Sequence, residues 1–347
     1  MGESMRAVLL PGDRQATVVE RPRPTAGPHE VVVRVRTSAI CASDLSLYYG
    51  NAVVGGDVAG TGSIIPGHEA AGDVVEVGAA ARFVGIGDRV AVHLSIGCMH
   101  CEHCLSGYIH HCAEWRCVGF DVDGGDAEYV VVPEINCLRL PDELSYEAGS
   151  LIVDNFGTQF HVQKRLGVGA VGLTLIVGIG PMGAAAILTA KARGARVIAV
   201  DVLDHRLELA ERLGADRVVD ASKGDALDEV MRISGGRGVE RVLDCSGNEQ
   251  GEQLALDAAA KLAKVGLVGE CSHLEVDPSE HFLRKELEVY GAWVYPIHEF
   301  EEMARFLIEA KVPVESTVSD RCGIDEAADA FDRFDRRLTE KLMFVWD

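Results

Sequence analysis

The sequence lacks any run of about eighteen apolar residues, the length that a transmembrane helix needs. Its first residues, MGESMRAVLLPGDRQ, lack the charged start, apolar stretch and cleavage site of a secretory signal. Basic residues are also scarce: 33 lysines and arginines stand against 54 acidic residues, and the net charge is −21. The missing signal and apolar run lead us to expect a cytoplasmic protein that binds no membrane. Because an acidic surface repels phosphate backbones, we also expect that it binds no nucleic acid.

With 347 residues, the chain is too long for one ordinary hydrophobic core, so two domains are expected. Before residue 150, short alternating runs such as 30–36 and 72–78 are broken by glycine and proline, which predicts a β-rich domain. Residues 50–67 predict a long loop. Beyond residue 150, apolar runs such as 173–177 alternate with helical patterns such as 181–193. This alternation is typical of βαβ units, and the predicted fold class is therefore α/β with a doubly wound parallel sheet.

A glycine-rich turn follows the apolar run 173–177 and opens the helical pattern. In the motif G-x-G-x-x-G, the first glycine permits the tight turn, the second leaves room for a pyrophosphate, and the third lets the helix pack closely on the strand. Asp201 ends the next strand, where its carboxylate would bind ribose hydroxyls and favour NAD over NADP, with Arg206 beside the adenine. The alternative is a plain glycine turn. The predicted cofactor-binding residues of this turn are Gly178, Ile179, Gly180, Pro181, Met182 and Gly183.

Ten cysteines are present, and four of them lie within fifteen residues in the pattern C-x2-C-x2-C-x7-C: Cys98, Cys101, Cys104 and Cys112. Without an export signal, such a cluster indicates metal ligation rather than disulfides. Four thiolates complete a tetrahedral Zn²⁺ site and leave no open position, so the predicted zinc is structural. An iron–sulfur cluster is the alternative that also takes four thiolates. Histidines among the cysteines offer another ligand at one corner: His100, His103, His110 and His111.

The order of further motifs resembles the zinc-containing medium-chain dehydrogenases, which include alcohol, sorbitol, threonine and formaldehyde dehydrogenases. Residues 41–44, Cys-Ala-Ser-Asp, are similar to the family's Cys-x-Ser-Asp, and residues 67–69 are its Gly-His-Glu before a glycine-rich strand. The cysteine cluster and the glycine-rich turn follow in the family's order, so the resemblance covers nearly the whole chain. It implies a GroES-like catalytic domain with both zinc sites (1–155 and 293–347) and a Rossmann NAD-binding domain (156–292).

The resemblance also implies a second, catalytic zinc held by Cys41, His68 and Asp154, with Glu69 as an alternate ligand. Read from the residues, a thiolate, an imidazole and a carboxylate leave the fourth position free for water or substrate. Aspartate in that place resembles the branch of secondary-alcohol and formaldehyde dehydrogenases. The alternatives are a core cysteine, a turn histidine and an aspartate that caps the N-terminus of a helix.

The family's chemistry implies that zinc stabilises the substrate alkoxide while a hydride passes to the nicotinamide. Ser43 stands where the family takes the hydroxyl proton, but Ser46 replaces the histidine that often ends the relay. We therefore expect the relay to end in water. By position, Thr158, Ser246 and Gly247 are expected to border the cofactor. The expected pocket residues are Tyr48, Leu94, Phe120 and Asn155.

The predicted function is a zinc-dependent transfer of a hydride between NAD and a small alcohol, meaning a secondary alcohol, polyol, sugar or cyclitol. The reverse reaction takes the carbonyl compound. An aldehyde or formaldehyde dehydrogenase or dismutase of the same family is the alternative. The Cys41 and His68 motifs disfavour a zinc-free reductase, and the acidic charge disfavours a zinc-ribbon module for nucleic acid. The family implies a homodimer or homotetramer.

Overall fold

A computed structural model describes residues 3–51 and 61–346, and the chain forms two compact units. The first unit comprises Met1–Asp154, Pro296–Ala304 and Thr317–Asp347, and the second comprises Asn155–Tyr295 and Arg305–Ser316. The sequence boundaries put all of 293–347 in the first domain, whereas Arg305–Ser316 belong with the second unit. The functional division of the domains stays a prediction.

Within the described ranges, the strands are β1 (Ser4–Gly12), β2 (Gln15–Pro22), β3 (Glu30–Ala39), β4 (Ala70–Val77), β5 (Arg89–Val92), β6 (Ser95–Ile96), β7 (Arg116–Cys117), β8 (Tyr129–Pro133), β9 (Cys137–Arg139), β10 (Leu173–Val177), β11 (Arg196–Asp201), β12 (Arg217–Asp220), β13 (Val239–Asp244), β14 (Ala259–Leu267), β15 (Glu288–Gly291), β16 (Val318–Cys322) and β17 (Lys341–Val345).

The α-helices of the same ranges are α1 (Asp44–Tyr49), α2 (Glu102–Leu105), α3 (Tyr146–Leu151), α4 (Gly157–Leu166), α5 (Pro181–Ala192), α6 (Asp204–Arg212), α7 (Ala226–Ile233), α8 (Glu249–Ala258), α9 (Phe300–Glu309) and α10 (Ala327–Asp335). Two π-helical segments are Ile152–Phe156 and Pro278–Leu283. Short 3₁₀ turns are Thr61–Ser63, Ile109–His111, Glu134–Asn136, Ala221–Lys223, Ile297–Glu299, Val314–Thr317 and Ile324–Glu326.

The first unit is built on a mixed sheet in the order β16-β17-β3-β4-β5-β9, with β8 paired to β3. Valines alternate toward a core on one face of β3, where Val31, Val33 and Val35 are fully buried against β4, β5 and β8. Strand β3 lies between β17 and β4, and both neighbours are antiparallel to it. This arrangement brings the start of β4 and the start of β17 to the carboxyl end of β3.

The second unit contains a parallel sheet in the order β12-β11-β10-β13-β14-β15. Numbered from β10, this is the order 3-2-1-4-5-6 of a doubly wound dinucleotide-binding sheet, whose direction of winding reverses between β10 and β13. The central strands are apolar on both faces: Leu175 and Ile176 are 0% exposed. The α/β fold class, with its parallel sheet, is confirmed. Ligands of such sheets bind beyond the carboxyl ends of the strands at this reversal.

Most predicted elements appear within a residue or two of their expected bounds, as end effects allow. The expected strand 173–177 is β10, and the expected helix 181–193 is α5. Residues 52–60 of the expected loop 50–67 lie outside the described residues, and the described rest of it contains the 3₁₀ turn Thr61–Ser63 and no strand. No helix in the described part of the chain has both the length and the apolar character to cross a membrane.

Candidate metal centres and cofactor site

Four potential ligands meet in the first unit: Cys41, His68, Glu69 and Asp154, whose donor atoms all lie within 4.8 Å of one another. The antiparallel pairing of β3 with β4 brings Cys41 close to His68 and Glu69, because Ser38 of β3 faces Ala70 of β4. Cys41 lies two residues past the end of β3, and His68 and Glu69 are the two residues before β4. Asp154 reaches the cluster from the π-helical segment, 3.5 Å from the Cys41 Sγ.

The spacing of these donors fits one tetrahedral metal ion. Zinc bonds of about 2.0–2.3 Å place the ligand atoms of a tetrahedral site about 3.3–3.8 Å apart. The His68 Nε2 lies 3.9 Å from the Asp154 Oδ2 and 4.0 Å from the Glu69 Oε1. Thiolate, imidazole and carboxylate together form the mixed set found at catalytic zinc sites.

Asp44, to which the sequence assigned no role, orients two of the ligands. Its Oδ1 lies 3.1 Å from the His68 Nδ1, and its Oδ2 accepts the backbone N–H of Cys41 at 2.8 Å. A carboxylate accepts and does not donate, so Nδ1 carries the proton and the Nε2 lone pair faces the other donors. The signal was the Asp of the Cys-Ala-Ser-Asp motif, which also looks like an ordinary acidic residue in the first turn of α1.

The electrostatics of the cluster favour a cation. Burial raises the pKa of the Cys41 thiol, and the nearby Asp154 carboxylate raises it further. Burial lowers the pKa of His68, but the charge of Asp44 and hydrogen bonds to Asp154 and Asp44 outweigh it, so the net pKa is well above the ordinary value. Burial raises the pKa of Glu69 to about 8, against the opposing effect of Lys341. A divalent ion would stabilise all of these groups in their ligating forms.

Asp154 does not cap a helix, so the N-cap interpretation is wrong. The N-cap residues of α3 and α4 are Ser145 and Phe156, and Asp154 lies inside the π-helical segment Ile152–Phe156 between them. A π-helical turn inserts one residue into a helix and is frequently found at functional sites. Here it carries the side chain that meets Cys41 and His68.

Ser43 lies next to the cluster, with its Oγ 3.4 Å from the His68 Nε2. The hydroxyl of Ser46 donates to the backbone carbonyl of Ser43, so it does not continue a chain from the Ser43 Oγ. Of the expected pocket residues, Phe120 packs its ring 5.1 Å from the His68 ring. Tyr48 instead stacks on Phe331 at 5.6 Å and is 3% exposed. Leu94 and Asn155 are buried.

The cysteine cluster also converges, because the Sγ atoms of Cys98, Cys101, Cys104 and Cys112 lie within 4.8 Å of one another. Backbone N–H groups point at three of these sulfurs at 3.3–3.5 Å, and such donors stabilise thiolates. Donation from the backbone at His100 contributes most to lowering the pKa of Cys98, to about 6. Four sulfur atoms this close together are suited to binding a single metal ion. In an iron–sulfur cluster, by contrast, the thiolates bind different iron atoms and lie further apart.

In the second unit, the glycine-rich turn has the backbone geometry of a site that binds a pyrophosphate. Gly178 has φ +84°, and a Cβ there would lie 2.6 Å from the Ser246 Cα. A Cβ on Gly183 would lie 2.0 Å from the Gly178 carbonyl oxygen. A Cβ on Gly180 would meet nothing closer than the Arg206 guanidinium at 3.7 Å. The space at Gly180, at the uncapped N-terminus of α5, is therefore free for a phosphate group.

Asp201 ends β11 beside this turn. Its Oδ2 accepts the N–H of Ile179 at 2.6 Å, and its Oδ1 accepts the N–H of Val202 at 2.7 Å. Oδ1 also accepts the N–H of Leu203 at 3.1 Å. These bonds fix the carboxylate at the turn, and Oδ2 keeps a further lone pair for a ribose hydroxyl. The Arg206 Nη1 lies 3.8 Å from the Asp201 Oδ2, so a positive charge lies beside this carboxylate.

The segment after β13 lies against the glycine-rich turn. Ser246 contacts the position of Gly178, and its hydroxyl donates to the Asp244 Oδ1 at 2.6 Å. Gly247 follows with φ +63°. On α4, Thr158 is 2% exposed, and its Oγ1 has no hydrogen-bond partner among the described residues. Ser246 and Gly247 thus lie beside the turn, and a polar ligand would satisfy the buried hydroxyl of Thr158.

Known proteins share both halves of this organisation. Residues 27–142 match the model of the alcohol dehydrogenase GroES-like domain, and residues 181–309 match that of zinc-binding dehydrogenases. Over 335 residues, the chain is 32% identical to YphC, an uncharacterised zinc-type alcohol dehydrogenase-like protein of Escherichia coli K12, with 95% of each chain covered. The chain belongs to the zinc-containing medium-chain dehydrogenases.

Other known dehydrogenases are similar over the same length. Sorbitol dehydrogenase of Bacillus subtilis is 31% identical, with 95% of this chain and 94% of that protein covered. An alcohol dehydrogenase structure from E. coli CFT073, complexed with NADH, aligns with a TM-score of 0.89 at 25% identity, over 99% of this chain and all of that one. The family identity, the GroES-like and Rossmann fold and the oxidoreductase class are confirmed.

Proposed function

We propose that this dehydrogenase transfers a hydride between NAD and a secondary alcohol or polyol whose hydroxyl binds a catalytic zinc. The observation that carries the proposal is the close approach of the donor atoms of Cys41, His68 and Asp154. The imidazole of His68 is oriented by its contact with Asp44. These residues would hold the catalytic ion, and the four clustered cysteines would hold a structural one. The sorbitol dehydrogenase relative supports the polyol class.

When bound, zinc supplies a Lewis acid that lowers the pKa of a hydroxyl group on it, and the nicotinamide supplies the hydride acceptor. The chain's own residues bind, orient and move a proton. Asp44 keeps the His68 lone pair directed at the ligand cluster. The Ser43 hydroxyl, 3.4 Å from the His68 Nε2, takes the proton of the substrate hydroxyl. Ser46 bonds to a backbone carbonyl, so the proton passes from Ser43 to water.

The preference for NAD rests on the fixed carboxylate of Asp201. Three backbone N–H groups hold it at the end of β11, including that of Ile179 in the turn. A 2′-phosphate would meet this negative charge, whereas a ribose hydroxyl would donate to it. Arg206 moderates the repulsion, so we expect slow turnover with NADP rather than none.

The test is a panel of secondary alcohols and polyols assayed with NAD and with NADP, together with zinc content per chain. The wild type should carry two zinc ions and reduce NAD. Asp154→Asn should lose the catalytic zinc and lower turnover by about 100-fold or more, because it removes a ligand. Asp142→Asn, at an aspartate whose side chain is 98% exposed, is the matched control.

Two results would refute this function. One is wild-type protein that holds zinc at the clustered cysteines and none at Cys41 and His68. The other is zinc-loaded protein that binds NAD and oxidises no alcohol of the panel.

A further inference from the structure

Lys341 and Glu69 form a buried ion pair at the proposed catalytic site. The Lys341 Nζ lies 2.5 Å from the Glu69 Oε1, and the side chains are 1% and 0% exposed. The pairing follows from strand register: Met343 of β17 faces Ala39 of β3, so the start of β17 is level with Cys41. Strand β4 begins on the other side of β3, immediately after Glu69.

Glu69 occupies the place of a fourth ligand. Its Oε1 lies 4.0 Å from the His68 Nε2, and its donor atom belongs to the same group as those of Cys41, His68 and Asp154. Its Oε2 is buried without a hydrogen-bond partner in the described part of the chain. If all four residues bound the ion, the tetrahedral site would be complete and a substrate hydroxyl would have no place on it.

We propose that Lys341 is a positioning residue, which holds Glu69 out of the metal's coordination shell and so keeps the fourth position open. The inference rests on the proposed function. The ammonium engages Oε1, the carboxylate oxygen that lies near the imidazole, and its charge competes with the ion for that oxygen. Removing the ammonium would leave an unpaired buried carboxylate beside a divalent cation, and the two would combine.

Stability alone does not account for this pair. Burying two charges costs several kcal/mol for each ion, and well-packed apolar residues of similar volume often serve a fold equally well. The pair reaches the donor cluster through Glu69, whose Oε1 accepts from Lys341 and lies 4.0 Å from the His68 Nε2. A role in controlling the cluster gives a reason for a buried lysine at the start of β17.

The experiment uses the full-length protein with Co²⁺ in place of Zn²⁺ and imidazole as a small probe ligand. The wild-type cobalt absorption spectrum should shift as imidazole binds the open position. Lys341→Met should keep its cobalt, show a four-ligand spectrum that imidazole does not change, and lose about 10- to 100-fold in turnover. Lys341→Arg, which keeps the charge, should keep the imidazole response.

The double variant Lys341→Met/Glu69→Gln separates positioning from folding, because it removes the carboxylate that would close the site. It should regain the imidazole response that Lys341→Met lacks. Lys341→Gln, which is polar and neutral, replaces Lys341→Met in the same comparison if the methionine variant does not fold.

The proposal is overturned if the neutral variants respond to imidazole as the wild type does. It is also overturned if they lose cobalt from the site and the double variant does not recover the response. If the cobalt spectrum of the wild-type protein does not change with imidazole, the metal has no open position. That result would refute the proposed function rather than the role of Lys341 alone.

Discussion

Three residues of the proposed catalytic cluster, Cys41, His68 and Glu69, are each held by a partner close in space. Asp44 accepts hydrogen bonds from the backbone of Cys41 and the ring of His68, so one carboxylate aligns two ligands. Lys341 engages one of the two acidic side chains of the cluster, that of Glu69. Partners of this kind fix tautomer and orientation, and their loss commonly costs about 10–100-fold in affinity or activity. The positions of these candidate ligands thus depend on single contacts with neighbouring side chains.

At the residue scale, Gly178→Ala should destabilise the chain more than Gly224→Ala. Both glycines have left-handed backbones, with φ +84° and +82°, where alanine costs about 1–2 kcal/mol. A Cβ at Gly178 would lie 2.6 Å from the Ser246 Cα, whereas one at Gly224 would meet nothing within 4 Å. Urea unfolding of both variants measures the excess, and calorimetric titration with NAD should show weaker binding for Gly178→Ala alone. Equal losses in both assays would contradict the packing of the turn against Ser246.

At the scale of elements, the two metal clusters arise in different ways. The cysteine cluster is local: Cys98 to Cys112 surround α2 and a 3₁₀ turn, and backbone N–H groups of the same segment point at the sulfurs. The other cluster needs the end of β3, the start of β4 and a π-helical segment whose Asp154 follows Glu69 by 85 positions. The first should therefore fold as one small metal-dependent unit, and the second only with the sheet.

Cys104→Ser is expected to remove one zinc ion per chain and lower the unfolding temperature, since it takes a thiolate from the closed site. Cys137→Ser is the control, because Cys137 is similarly buried at 7% against 5% but lies in β9 outside the cluster. Metal analysis and thermal unfolding compare the two variants. A Cys104→Ser protein that retains its full zinc content would exclude the four-cysteine site.

At the scale of the molecule, the chain carries a large negative charge, and the two units differ in architecture. A net charge of −21 from 54 acidic residues produces repulsion across the surface. Many of the arginines offset it locally, as Arg321 does in its bidentate contact with Glu147. Local pairs do not remove the long-range repulsion, which ions in solution screen.

Added salt should therefore stabilise the protein. Raising sodium chloride from about 0.1 M to about 1 M shortens the Debye length from about 10 Å to about 3 Å. We expect the unfolding temperature to rise by several degrees over this range, measured by calorimetry on zinc-loaded protein. Sucrose of equal osmolality controls for excluded-volume effects. An unfolding temperature that falls or stays level would show that attractive ion pairs outweigh the net repulsion.

The sequence alone determined the parts of this protein whose signals are local. The run 173–177 with its glycines predicted the turn, since strand, turn and helix are consecutive in the chain. The four cysteines predicted their own cluster, and the motifs at 41–44 and 67–69 indicated two ligands of the second site. The N-cap alternative for Asp154 is wrong because local spacing cannot distinguish a cap from a π-helical turn that tertiary packing imposes.

Only the tertiary structure decided which distant groups meet. Lys341 is separated from Glu69 by 272 positions and looks in the sequence like the first residue of an ordinary strand. Asp44 became an orienting residue only when β3 and β4 placed His68 beside it. The physical reason is that a pattern within the chain specifies local conformation, whereas strand order and register specify long-range contacts. In this protein, those contacts set the coordination of the proposed catalytic ion.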